Sequence, residues 1–163
     1  MIFGMPPYTF FHVLISLVGI VSGFVVLFFG LLASRRLPGW TALFLATTIL
    51  TSVTGFGFPF DHFLPSHVVG TVSLVVLAVA LLALYRFKLA GGWRRVYVIA
   101  AVVSLYLNFF VLVVQGFLKV PALHDLAPQQ NEPPFVAAQG AALAFFIVAG
   151  ALAIRRFHPE RQT

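Results

Sequence analysis

Residues 8–33 read YTFFHVLISLVGIVSGFVVLFFGLLA, and Ser34-Arg35-Arg36 follow directly. Those 26 positions hold no Asp, Glu, Lys or Arg. A helix rises 1.5 Å per residue, so about 20 residues cross the roughly 30 Å hydrocarbon core of a bilayer. The stretch is long enough to cross, and the paired arginines act as a stop and an orientation signal. No cation precedes it, it exceeds the length of a signal-peptide h-region, and no small-residue cleavage site follows. It therefore reads as a retained helix.

The pattern repeats along the chain. Further helices are expected over about 40–58, 67–85, 95–118 and 135–154, with the first at about 8–33. Pro38-Gly39, Pro59, Pro65 and Gly91-Gly92 punctuate them. Ser66 is the expected N-cap of the third. The fold class is an all-α integral membrane protein, a five-transmembrane-helix bundle forming one domain. Composition agrees. Apolar residues make up 61% and charged residues 9%, against about 25% charged in soluble domains. So few charges cannot solvate the surface of a chain this small, and lipid must be the main solvent. There is no cysteine, which excludes disulfides, thiolate metal sites and iron–sulfur clusters.

Orientation follows from the cations. With the N-terminus outside and the C-terminus cytoplasmic, Arg35, Arg36, Arg86, Lys88, Arg94, Arg95, Arg155, Arg156 and Arg161 lie inside, and Lys119 alone lies outside. A bacterial inner membrane is the expected location. The net charge of +6 sits in short clusters between apolar runs, which fits orientation signals and not a nucleic-acid surface.

This topology gathers His12, His62, His67 and His124 at the outer face, with Asp61, Asp125 and Glu132. The outer loops, 59–66 and 119–134, carry most of them. Imidazole and carboxylate ligate zinc, iron or copper where cysteine is absent. The leading expectation is a membrane-embedded binding protein or enzyme with a divalent transition metal held by His12, Asp61, His62, His67, His124 and Asp125. Asp125 or Glu132 would be the base if the site is catalytic. No named metal motif is present, and the plain alternative is a set of interfacial histidines solvated by water and headgroups. A haem b held by His12 and His67 is a further alternative.

Two polar faces run beneath that cluster. Tyr8, His12, Ser16, Gly19 and Gly23 share one face of the first helix, and Gly19-x-x-x-Gly23 permits close helix approach. Tyr97, Ser104, Asn108 and Gln115 share one face of the fourth. They read either as interhelical contacts, worth about 0.6 kcal/mol each, or as a polar pocket open to the outside and roofed by Gln139. A lipid- or quinone-binding pocket is consistent with 19 phenylalanines. A non-catalytic accessory subunit, contacting a membrane-protein partner or a second copy of itself, is the alternative of another class. No Asp, Glu, Lys, Arg or His sits in mid-span, which argues against a proton or ion pathway.

Overall fold

The structure is a computed structural model and describes residues 6–59 and 65–159. Every regular element among them is helical: α1 (Pro7–Val25), α2 (Pro38–Gly55), α3 (Pro65–Leu81), α4 (Trp93–Lys119), the single turn α5 (Pro121–His124) and α6 (Pro133–Arg156). α1 and α3 each continue into a π-helical turn, Val26–Leu31 and Leu82–Arg86.

Proline, not a capping hydroxyl, starts α1, α2, α5 and α6. Its missing N–H costs nothing in the first turn, and its fixed φ suits the helix. α3 spans Pro65–Leu81 among the described residues, so Ser66 lies inside the helix and not before it as the expected cap. α2 ends at Gly55, short of the expected 58.

The π-turns end α1 and α3 by widening them. Leu32 N–H donates to Leu27 O, and Phe87 N–H donates to Leu82 O, each reaching back five residues at 2.9 Å. The chain then leaves through left-handed residues, Ser34 (φ 54°) in one case and Lys88 (φ 48°) and Leu89 (φ 60°) in the other. Non-glycine residues rarely take that conformation, so both exits depend on the surrounding contacts.

Four helical runs are long and apolar enough to cross a membrane: Pro7–Leu31, His67–Arg86, Trp93–Lys119 and Pro133–Arg156. α2, at 18 residues, is the exception. Its threonines and Ser52 lower its hydropathy. It nonetheless lies antiparallel along most of α1. Tyr8 donates to Thr54 O at one end of the pair. Gly19 faces Thr47 and Thr48 in the middle, and Gly23 faces Phe44 beyond them.

The bundle has two distinct ends. At one, Arg94 donates to the carbonyls of Ile154 and Phe157 at the last turn of α6. There too the His158 N–H donates to Ser34 Oγ at 2.8 Å. The other end holds Tyr8, His12, Phe56, Phe58, His67 and Lys119. We call these the arginine end and the histidine end. Between them, Leu27, Phe44, Leu45, Leu77, Val98 and Leu105 form a close-packed core. Large apolar side chains face outward, among them Phe29 at 65% and Val21, Val75 and Ile147 each at 61% exposure. A surface of that kind is suited to lipid.

Candidate functional site

The core does not fill the histidine end. A cavity of about 480 Å³ opens there between α1, α2, α3 and α4. α1 contributes Thr9, His12, Val13, Ser16 and Leu17 to its wall, and α2 contributes Thr48, Thr51, Ser52 and Gly55. α3 contributes His67, Val69, Gly70 and Ser73. α4 contributes Leu107, Asn108, Val111, Leu112, Gln115, Gly116 and Lys119. Phe56, Phe58 and Pro59, just beyond α2, complete the rim.

Periodicity places these groups. His12 and Ser16 are four apart on α1, and Asn108, Gln115 and Lys119 lie on one side of α4, so each helix presents a polar row to the same space. Gly70 brings α3 close to α2. A Cβ there would stand 3.2 Å from the Phe56 ring.

His12 is fixed on two sides. Its Nδ1 is 2.8 Å from Thr54 Oγ1, and its ring meets Phe58 edge-on at 5.0 Å. Tyr8, one turn earlier, donates its hydroxyl to Thr54 O at 2.6 Å. One residue of α2 thus anchors two of α1. His67 is buried at 4% exposure, and its ring lies tilted against Phe56 with centroids 5.5 Å apart.

Asn108 is 7% exposed, and its Nδ2 has no hydrogen-bond partner among the described residues. Ser104 Oγ, one turn along α4, is buried and unpartnered in the same sense. Unpaired polar groups are rare in protein interiors because each carries a desolvation cost of about 1–3 kcal/mol. The pair marks a polar strip that the protein's own contacts leave incomplete.

Family models, curated proteins and solved structures provide no match to this chain. The functional reading therefore rests on the site itself.

Several expected site residues gather at this cavity: His12, His67, Ser16, Asn108 and Gln115. Gly19 and Gly23 are buried beneath it as helix contacts. The other expected residues lie elsewhere. Gln139 is not a roof: its Nε2 donates to Phe110 O at 3.2 Å, and its place is the seam between α6 and α4. His124 and Asp125 are exposed and do not border the cavity. Glu132 does not border it either, and its two oxygens accept the N–H groups of Gln129 and Asn131. Asp61 and His62 lie outside the described residues. Among the described residues, no three His, Asp or Glu side chains converge to hold a metal ion. The expected six-residue metal cluster is therefore not assembled among them. Thr48, Thr51 and Ser52 of α2 add a hydroxyl row to the wall, drawn from the hydroxyls that the sequence offers as partners for the amides of the fourth helix. Their spacing of three and four residues places them on one side of α2.

Proposed function

We propose that the protein is a membrane-embedded binding protein whose cavity takes an amphipathic small molecule of the lipid or quinone class. The cavity carries this reading. Its volume falls within the roughly 300–1,000 Å³ of small-molecule sites, and it combines apolar walls with a few convergent polar groups. It lies where a lipid-soluble ligand would arrive, at one end of a bundle with lipid-suited sides. The unpartnered Asn108 amide supports the reading, because a group kept at a cost to stability is more readily explained by binding than by packing.

In the same proposal the chain crosses the bilayer five times, with the histidine end outside. Two observations support this. α2 accompanies α1 along most of its length, and the chain after α6 returns to Ser34 at the far end of α1. The nine-to-one distribution of Lys and Arg sets the direction.

The test is ligand-dependent thermal stability of the purified protein in lipid nanodiscs, with decyl-benzoquinone, decyl-benzoquinol and a monoacylglycerol as probes. A binder raises the melting temperature with concentration. Ser16→Phe, which fills the cavity from α1, should abolish the shift. If none of the three probes stabilises the parent protein, the reading fails.

A second reading is favoured by one observation: His12 and His67 border the same space. Two imidazoles in one cavity are the donor set of a b-type haem. An absorption spectrum of protein purified from haem-replete cells decides it, since a Soret band is expected on this reading and its absence removes it.

A further inference from the structure

The hydrogen bonds around His12 go further than the outline of the cavity. Thr54 has one hydroxyl proton. Its Oγ1 lies 2.6 Å from Leu50 O, and two oxygens that close must share a proton. A backbone carbonyl has none to give, so Thr54 donates to Leu50. The 2.8 Å contact between His12 Nδ1 and Thr54 Oγ1 must then draw its proton from the imidazole. Neutral His12 is thereby held as the Nδ1–H tautomer, with Nε2 carrying a lone pair.

The rest of the α2 wall is biased the same way. Thr48 donates to Phe44 O at 2.7 Å, Thr51 to Thr47 O at 2.8 Å, and Ser52 to Thr48 O at 3.0 Å. The two threonines spend their protons one turn back on their own helix, which leaves only acceptor lone pairs for a neighbour, while the Ser52 hydroxyl has both Thr48 O and, at 3.1 Å on α3, Ser73 Oγ within reach. Lys119, at the rim, disfavours a cationic head.

We infer that the cavity selects a neutral amphiphile whose head donates a hydroxyl proton, received by His12 Nε2 and the threonine oxygens of α2, while its oxygen accepts from the Asn108 amide. A quinol or an alcohol can both donate to these acceptors and accept from the Asn108 amide, whereas a quinone or a methyl ether can only accept. Thr54 is a positioning residue that acts through His12. This inference rests on the binding function proposed above and specifies the chemistry of its ligand.

The experiment compares decyl-benzoquinol with its dimethyl ether, and a monoacylglycerol with its dimethyl ether, by anaerobic titration of the nanodisc-embedded protein. A net hydrogen bond corresponds to about a 2- to 10-fold change in affinity. At least one hydroxyl probe should bind tighter than its ether by that margin, and which of the two does so separates a quinol from a lipid alcohol. His12→Phe should reduce the preference. Independently of any ligand, ¹⁵N NMR of the His12 ring should show a protonated Nδ1 and an unprotonated Nε2, and Thr54→Val should disturb that state. Equal binding of hydroxyl and ether, or a His12 protonated at Nε2 in the parent, overturns the inference while leaving the binding function intact. No binding by any probe overturns both.

Discussion

Gly19 of α1 and Asn108 of α4 meet in the middle of the bundle: a Cβ on Gly19 would stand 3.1 Å from Asn108 Nδ2. The Thr47 and Thr48 hydroxyl oxygens would lie 3.2 and 3.3 Å from the same point. Three polar atoms from two other helices thus converge over a residue with no side chain. Gly19→Ala forces each to give by a few tenths of an ångström. The expected outcome is a destabilisation of about 1 kcal/mol, at the low end for overpacking, measured by thermal or denaturant unfolding in detergent.

Asn108→Leu should act in the opposite sense. The usual expectation for a mid-span amide is that removing it strips a partner of a hydrogen bond. Here the Nδ2 has no partner among the described residues, so the substitution removes a desolvation cost. We expect stability to hold or rise by about 1 kcal/mol, while ligand-induced stabilisation shrinks. A clear loss of thermal stability would show that the amide is a packing contact.

Gly23 separates close approach from mere helix propensity. A Cβ there would lie 2.5 Å from Leu105 Cδ1 and 2.9 Å from Phe44 Cε2, both core atoms. Gly140 on α6 has nothing within 4 Å. Gly-to-Ala in a helix otherwise gains up to about 1 kcal/mol. Gly23→Ala should therefore destabilise by about 1–3 kcal/mol, while Gly140→Ala is neutral or stabilising. Equal effects at the two sites would remove the argument that α1 is pressed onto α2 and α4.

Much of this was legible in the sequence, for physical reasons that differ by element. Spans show because apolar length is set by the bilayer and interrupted by proline and arginine. The small-residue face of α1 and the amide face of α4 show because helical periodicity fixes which residues share a side. His12 and His67 reach one cavity, as their positions near helix ends imply. The loop residues did not follow. The path of the chain beyond α4 is set by tertiary contacts, such as Gln130 Nε2 on Val114 O at 2.8 Å and the complete burial of Ala127, which have no local signature. His124 and Asp125 are exposed and do not line the cavity. The π-turns were also hidden, since apolar runs such as Val26–Leu31 suit either helical pitch.

Glu132 gives a pH prediction outside the membrane-spanning segments. Desolvation acts to raise its pKa, but the backbone N–H groups of Gln129, Glu132, Asn131 and Gln130 together outweigh it and hold the carboxyl below its ordinary value. A depressed carboxylate contributes stability above its unfolded pKa and loses it as pH falls through the folded one. The Gln129 and Asn131 amide resonances should therefore titrate together, with a midpoint below the ordinary glutamate value, and Glu132→Gln should abolish that titration. A midpoint at or above the ordinary value would contradict the two N–H contacts. Global stability should change little, because the turn is at the surface.

The last prediction concerns the number of crossings. α1 begins at the histidine end, with Tyr8 beside Thr54, and the chain after α6 reaches the arginine end, where His158 N–H meets Ser34 Oγ. Start and finish on opposite ends require an odd number of crossings. In the five-span arrangement proposed above, α2 crosses with the four longer spans, although its 18 residues reach only about 27 Å at 1.5 Å each, near the lower limit for a span. Its hydroxyls reduce the cost of crossing by bonding their own helix's carbonyls, as Thr47 does with Leu43 O at 2.7 Å. The absence of cysteine makes the test direct. Gly39→Cys before the main body of α2 and Pro59→Cys after it are both exposed and should leave the fold intact. In intact cells an impermeant maleimide should label Pro59→Cys and spare Gly39→Cys until the membrane is opened. Leu126→Cys, 57% exposed in the loop beyond α4, should behave like Pro59→Cys. Labelling of positions 39 and 59 from the same side would mean that α2 does not cross, and the five-span arrangement would be lost. Labelling of 39 from outside and 59 from inside would keep five spans but invert them, placing the cavity on the cytoplasmic side.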